Sequence, residues 1–356
     1  MEFFATDKRN ALEAKEYAQW IAFAPFVFQA SKILRDSGIL AEISNSRKAG
    51  ISLEAIVKKV NLSNYGVRVL VEAGLGIGLI TVNDSKYHIT KTGYFILHDE
   101  LTRVNMDFSQ DVCYLGLNHL GDSIKNGKPE GLKVLGPWNT IYEGLSRLPG
   151  TSKESWFRFD HYYSDNAFEG VLPLVMKQNP AKLLDIGGNT GKWSIACVNY
   201  DPKVHMTIMD LPGQTALAKE NIKSKGLESR IDFHEANILD ENVKFPKGFD
   251  GIWMSQFLDC FSEQEIVSIL KRCAEALDEN GYVYILETFW DKQRFEASAF
   301  SLQMTSLYFT AMANGNSQMY DSKIFLKLIE QSGLKVVEQV DHIGISHSFL
   351  KCKKVK

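Results

Sequence analysis

The chain reads as a two-part α/β protein: a doubly wound, mostly parallel sheet in the C-terminal half, preceded by a helical module with a winged-helix outline. Three observations predict this. From residue 182 onward seven strand-like runs follow one another, most of them separated by helical runs. The first carries "LLDIGGNTGKWS" at 183–194, a greasy run that stops at an aspartate and breaks into glycines, the kind of turn that lets a backbone approach a nucleotide-like ligand. Within the first 105 residues, signals for helix, helix and hairpin appear in that order. At 356 residues the chain is longer than one core usually fills, so two domains are expected.

Residues 10–43 carry Ala, Leu, Phe and Ile at three- and four-residue spacing and read as helices. Ser52 can cap the next helix and Ser63 the one after, with Gly74 as its expected end. "LITVNDSKYHIT" then gives two β-rich runs around Asn83-Asp84, a hairpin signal. A winged helix of this outline can read DNA, and charge weighs against that use. Residues 1–105 hold 13 basic and 11 acidic side chains, and the would-be recognition helix offers only Arg68, offset by Glu72. A DNA reader needs several cations for phosphate neutralisation. The apolar run "WIAFAPFVFQA" suits a subunit interface better.

Residues 121–155 are rich in Gly, Pro and Lys and read as a connector, followed by an aromatic-loaded helix, "WFRFDHYYSDNAFEGVLPLVMK". The seven strand-like runs begin at "KLLDIG" and end with "KVVEQVDH" and "SHSFLKCKK". No helix separates the last two, so an antiparallel hairpin is expected at one sheet edge. The division is therefore 1–105 for the winged-helix-like part, 106–175 for linking helices and connector, and 176–356 for the sheet. A net charge of −3 gives no reason to expect nucleic acid or an acidic membrane as partner. The cysteines at 113, 197, 260, 273 and 352 form no CxxC pair and no metal-ligand spacing, and read as reduced thiols, four of them buried. The start lacks the plan of a signal peptide and no apolar run is long enough to span a membrane, so a cytoplasmic protein is expected.

The glycine turn narrows the ligand. A P-loop would need glycine at 186 and Ser or Thr at 193, which are Ile186 and Trp193. The dinucleotide fingerprint beginning at Gly187 would need glycines at 189 and 192, which are Asn189 and Lys192. What stands there is Asp-x-Gly-Gly-x-x-Gly. A carboxylate beside the turn repels a pyrophosphate but suits a ligand with positive charge, such as S-adenosylmethionine (SAM), which has an ammonium, a sulfonium and no phosphate. Asp210, at the end of the second strand, is placed to accept hydrogen bonds from both ribose hydroxyls.

"LLDIGGNTG", "IMDLPG", "EANIL", "SQFLDCFSEQE" and the winged N-terminal half together resemble the small-molecule SAM-dependent O-methyltransferases, the two-domain family of plant caffeate-type and bacterial polyketide enzymes. The resemblance spans nearly the whole chain. It implies a class I seven-stranded methyltransferase sheet, an N-terminal dimerisation domain that makes a homodimer, and a metal-independent methyl transfer. Asp185, Gly187, Gly188 and Gly191 would border the methionine end of SAM. Asn189 stands where the family has a glycine, and Asn tolerates positive φ better than most residues. Asp210, with Leu211, would hold the ribose; Asn237 and Ile238 would flank the adenine; Ser255 and Gln256 would face the sulfonium and amino-acid moiety.

The pattern departs where the proton goes. A phenol of ordinary pKa ~10 needs help losing its proton near neutral pH. The family commonly has histidine after the Leu of its "LHDW"; here "LDCF" puts Asp259 in that slot and Cys260 in the next, and Met319 stands where a supporting acid is usual. Asp259 is thus one candidate base, provided that burial raises its pKa. His161, on the aromatic helix, is another, and Glu287, at a strand end, a third. Trp156, Phe159, Tyr162, Tyr163, Phe300, Met304 and Tyr308 are candidates to wall a pocket for a flat aromatic or polyene-like molecule. The expected reaction is O-methylation of a small aromatic or polyketide-type acceptor. C- or N-methylation, SAM-assisted decarboxylation, and a SAM-binding regulator without catalysis stay open.

Overall fold

A computed structural model describes residues 3–355, in two compact units that divide between Asp107 and Phe108. The first unit contains α1 (Ala11–Ala22), α2 (Ala24–Asp36), α3 (Ile39–Asn45), α4 (Leu53–Val57) and α5 (Asn64–Ile77), then the hairpin β1 (Ile80–Asn83) and β2 (Lys86–Ile89), then α6 (Lys91–His98) and α7 (Glu100–Phe108). Ser52 and Ser63 do cap α4 and α5, through bonds from the backbone of Ala55 and Gly66. The end of α5 differs from expectation: Gly74 lies inside it, packed on Leu34 and Ile80, and Gly78 at φ +83° terminates it. A glycine is needed where the backbone turns left-handed, and that point comes one turn later. The hairpin loop is Asp84-Ser85, both at positive φ, one residue beyond the expected pair. Leu34, Ile43, Ile56, Val67 and Val71 are buried together as this unit's core. α1 buries none of its residues within the chain, and Leu12, Ile21, Phe23 and Phe26 are exposed along α1 and the start of α2.

In the second unit the connector proves partly helical, with α8 (Leu120–Asn126) and α9 (Ile141–Gly144). α10 (Gly150–Met176) leads into β3 (Lys182–Ile186), α11 (Lys192–Tyr200), β4 (His205–Asp210), α12 (Pro212–Ser224), β5 (Ile231–Glu235) and β6 (Gly251–Ser255). After these come α13 (Glu263–Ala276), β7 (Tyr282–Thr288), α14 (Glu296–Tyr308), α15 (Ser322–Gln331), β8 (Leu334–Ile343) and β9 (His347–Lys354). The seven strands are ordered β5-β4-β3-β6-β7-β9-β8, all parallel except β9, which pairs antiparallel with both neighbours. The expected edge hairpin is therefore present, with its second strand inserted beside β7.

Alternation along the central strands divides the apolar residues between two layers. Leu184, Ile186, Ile252 and Met254 face α13 and α15; Leu183 and Trp253 face α10 and α11, where Trp193 stacks on Trp253 at 3.9 Å. Burial on both faces keeps this sheet rigid and leaves its C-terminal edge as the place for a ligand. The strand order reverses between β3 and β6, and an open α/β sheet forms its binding crevice at the C-terminal ends of such a pair. Among the described residues, no helix is long and apolar enough to cross a membrane.

Candidate active site

The crevice above β3 and β6 is a cavity of about 300 Å³. One end is built by strand ends and the glycine turn. Gly187 sits at φ +74°, and a Cβ on it would run into the Phe257 ring, so only glycine closes the turn here. Asn189 takes φ +50°, the left-handed conformation its family-unusual side chain was expected to permit. The turn is tied down by Asp210: its carboxylate accepts from the Asn189 backbone N–H at 2.9 Å and from Leu211 N–H at 2.7 Å. Asp185 accepts from Ser194 Oγ at 2.6 Å, which anchors the strand end to α11. Burial raises both carboxyls, Asp185 to about 7 and Asp210 to about 6.

Asp185, Gly187, Gly188, Asp210, Leu211, Asn237, Ile238, Ser255 and Gln256, all expected from the sequence, line this end. Gly191 does not. It starts α11 at φ +79°, packed against Ile208 and Ile222, so its part is to turn the chain into the helix rather than to touch a ligand. The fit to SAM can be read from the donor set. Acidic side chains converge here and the nearby cation, Lys192, is paired with Asp165 at 2.6 Å. Asn189 Oδ1 and Ser255 Oγ are buried acceptors without a partner. Groups of this kind suit a ligand bearing positive charge and N–H or O–H donors.

The other end is made of side chains from separate segments. Phe108 stacks on Phe159 at 3.9 Å, and Trp156 Nε1 donates to the Tyr308 hydroxyl at 2.7 Å. Asp259 enters this aromatic chamber from the short turn after β6. Its side chain is 5% exposed, and burial pushes its pKa up to about 7. Cys260 Sγ donates to Asp259 Oδ1 at 3.4 Å. Met319 also lines the wall, its sulfur accepting from Thr288 Oγ1 at 3.2 Å, so no acid backs Asp259 from that side.

The other candidate bases are placed differently. His161 lines the cavity, but its Nε2 lies 3.2 Å from Thr190 Oγ1, at the glycine turn; burial and then Lys192 lower its pKa to about 4. Glu287 is not on the wall. It is buried beneath the turn, where its Oε1 accepts from Phe257 and Leu258 N–H at 3.0 and 2.8 Å. Burial, and then Asp259, push its carboxyl well above the ordinary range. Glu287 thus holds the segment that presents Asp259.

Of the expected pocket residues, Trp156, Phe159 and Tyr308 line the cavity; Tyr162, Tyr163, Phe300 and Met304 do not. On α10 the wall comes from residues spaced three or four apart, beginning at Trp156, which leaves Tyr162 on another face. Tyr163 packs behind Phe159, ring centroids 5.1 Å apart. Phe300 and Met304 are 51% and 45% exposed, on the face of α14 opposite Leu302. Sequence reasoning missed Phe108, Tyr142 and Asp160. For Asp160 a signal existed: it stands one helical turn after Trp156, an acid on the aromatic face of its helix. Nothing in the sequence marked the other two.

Residues 15–87 match the model of a Dimerisation2-like domain, and residues 117–335 that of an O-methyltransferase domain. Among relatives, the L-tyrosine C(3)-methyltransferase of Streptomyces lavendulae is 23% identical over 91% of this chain and 88% of its own. The 3-hydroxy-5-methyl-1-naphthoate 3-O-methyltransferase of Streptomyces sahachiroi is 31% identical over 69% of this chain and 71% of its own. A solved O-methyltransferase from neocarzinostatin biosynthesis, in complex with SAM and 2-hydroxy-5-methyl naphthoic acid, aligns with a TM-score of 0.69 at 19% identity, covering 93% of this chain and 96% of that one. That last likeness is one of fold.

Proposed function

The chain belongs to the O-methyltransferase domain family, as a SAM-dependent methyltransferase of small molecules, and from that premise we propose that it methylates a hydroxyl on a flat aromatic acceptor, with Asp259 as general base. The observation that carries this reading is a buried carboxyl with a pKa near 7 on the wall of an aromatic chamber. When bound, SAM supplies a methyl group on a positively charged sulfur that leaves with the bonding pair. The chain's own task is then alignment and removal of one proton. Trp156, Phe159 and Tyr308 would wall a planar ring and exclude water. Asp259, held by the turn that Glu287 grips, takes the hydroxyl proton as oxygen gains the methyl group. A carboxylate at its ordinary pKa of ~3.9 would be a poor base for a phenol; one raised toward 7 is closer to the match that proton transfer requires. Asp185 and the turn of Gly187, Gly188 and Asn189 would border the methionine part of SAM, Asp210 the ribose, and Asn237 and Ile238 the adenine.

A phenolate is nucleophilic at oxygen and at its ortho carbon, and the same Asp259 would serve both. The test therefore asks which atom receives the methyl group. Purified protein is incubated with SAM carrying a 13C-methyl group and a panel of hydroxynaphthoates, simple phenols, L-tyrosine and aryl amines. A product with an O-methyl carbon shift supports the proposal. Products methylated only at carbon or nitrogen would overturn it.

We propose that the division at 105 and 175 is a functional one: dimerisation, a linking part whose α10 lines the cavity, and the sheet that builds most of the cofactor site. The exposed apolar side chains of α1 and α2 support a homodimer built on the N-terminal part, as its Dimerisation2-like match suggests. Light scattering is expected to report twice the chain mass of 40.2 kDa, and the double substitution Ile21→Glu, Phe26→Glu to halve it. A wild-type mass of one chain would refute the dimer.

A further inference from the structure

One carboxylate in the cavity has no part in the scheme above. Asp160, on α10, accepts from Asn189 Nδ2 at 3.1 Å and from Gln256 Nε2 at 3.5 Å. Each of these donors is itself constrained. Asn189 is the left-handed corner of the glycine turn. Gln256, the residue after β6, sits at φ +46°, a conformation that costs a non-glycine residue about 1 kcal/mol or more and persists only where the surroundings impose it. What imposes it includes His347 on β9, fully buried, whose Nε2 lies 2.8 Å from Gln256 Oε1. An amide oxygen only accepts, so Nε2 carries the proton and donates. That bond turns the amide nitrogen of Gln256 toward Asp160. Burial keeps His347 neutral by lowering its pKa to about 4, so the relay keeps one orientation across the working pH range.

Two separate elements thus aim donors at Asp160, and a third, β9, orients one of them, an unusual effort for a carboxylate that, among the described residues, no side-chain cation bonds. Around it, Asn189 Oδ1 and Ser255 Oγ are further acceptors left without a partner. A carboxylate with two neutral acceptors nearby suits a group with several N–H donors and a positive charge, which describes an alkylammonium. The cofactor carries one, on its methionine part, and the glycine turn and the end of β6 are where that part is expected.

We propose that Asp160 is the seat of the cofactor's α-ammonium, with Gln256 and His347 as positioning residues behind it. The proposal rests on the cofactor assignment above and is independent of which acceptor atom is methylated. It has a consequence for the base. Asp160 and Asp259 both line the cavity, and burial, then the charge of Asp259, raise Asp160 to about 7. The charged and titratable groups around Asp160 are Asp259 from the turn after β6, Asp165 and His161 on α10 itself, Lys192 on α11 and Tyr308 on α14. A cation seated on Asp160 cancels a like charge beside Asp259 and favours its ionised form, so loading the cofactor readies the base.

The test is calorimetric and needs no acceptor. Wild type, Asp160→Asn and Asp160→Glu are titrated with S-adenosylhomocysteine, SAM and 5′-methylthioadenosine, which keeps the adenosine and the sulfur but lacks the amino-acid part. Loss of one charge-assisted contact predicts a roughly ten- to hundredfold weakening of both amino-acid-bearing ligands in Asp160→Asn. Methylthioadenosine should bind all three proteins alike, which also reports that the variants are folded, and Asp160→Glu should recover part of the loss. Equal weakening of all three ligands, or an unchanged S-adenosylhomocysteine affinity in Asp160→Asn, would overturn the proposal. Wild type binding none of the three would overturn the cofactor assignment with it.

Discussion

The two ends of the cavity are built by different means. The cofactor end is made from backbone: a glycine turn, four strand ends, and carboxylates gripped by main-chain N–H groups, as Asp210 is by Asn189 and Leu211. The acceptor end is made from side chains that come from α10, α14, the linking segment and the turn after β6, with Phe108 on Phe159 and Trp156 on Tyr308. Backbone geometry admits few sequences, whereas an aromatic wall can be repacked from many. One end is therefore tuned to a constant ligand and the other is free to change its substrate.

That contrast can be broken by substitution, and the largest effect is expected at Asp259. Asp259→Asn should lower kcat by about 10²- to 10⁴-fold, the usual contribution of a general base, with S-adenosylhomocysteine affinity changed by no more than a few-fold by calorimetry. Asp210→Asn should do the reverse. It removes a charge from the site expected to hold the ribose and loosens the turn, so cofactor affinity should fall roughly a hundredfold while the chamber and its acceptor affinity are kept. If both variants lost both functions together, the two ends would not be separable.

Stability gives a subtler reading. Asp259 is raised from 3.8 to about 7 in the folded chain, so the folded form binds its proton more tightly than the unfolded form. Stability from this group is then full below about pH 4 and is lost as pH rises toward 7, where burying its charge opposes folding. Asp259→Asn should accordingly melt higher than wild type at pH 8 and alike at pH 4, by scanning calorimetry. A catalytic variant that gains stability marks a group buried for its chemistry. Smaller effects follow for the remaining candidates. His161→Gln should cost less than about threefold in kcat, far below what loss of a base costs. Phe300→Ala and Met304→Ala should change kcat/KM by no more than about twofold, as exposed substitutions commonly do.

Legibility from sequence followed the same division. Asp185, Asp210 and the glycines were readable because each sits at a strand end whose position the apolar run announces. The spacing of the turn alone removed two competing nucleotide sites. All seven strands were readable for the same reason, since burial on both faces of the sheet leaves short runs rich in apolar residues. The aromatic wall was readable only in part: helical spacing identifies a face of α10 but cannot say where the chain brings α14 or Phe108 against it. Phe300 and Met304 looked like wall residues because an apolar stripe reads the same whether it faces a cavity or the outside. Gly74 was misplaced as a helix end because glycine serves close packing as well as left-handed turns. Glu287 was read as facing ligand because it ends a strand, yet its carboxylate turned under the next loop to satisfy two amides that would otherwise be buried without partners.

The central claim is that Asp259 takes the acceptor's proton at the chamber end while the backbone end holds SAM. Its most direct test is the pH dependence of single-turnover methyl transfer at saturating SAM, with the acceptor that the 13C panel returns. Wild type should rise with pH to a plateau, with a midpoint at or below about 7, because the seated cofactor eases ionisation of Asp259. Asp259→Asn should show no such rise and a rate lower by at least about a hundredfold. An Asp259→Asn profile that matched wild type in midpoint and plateau would contradict the account.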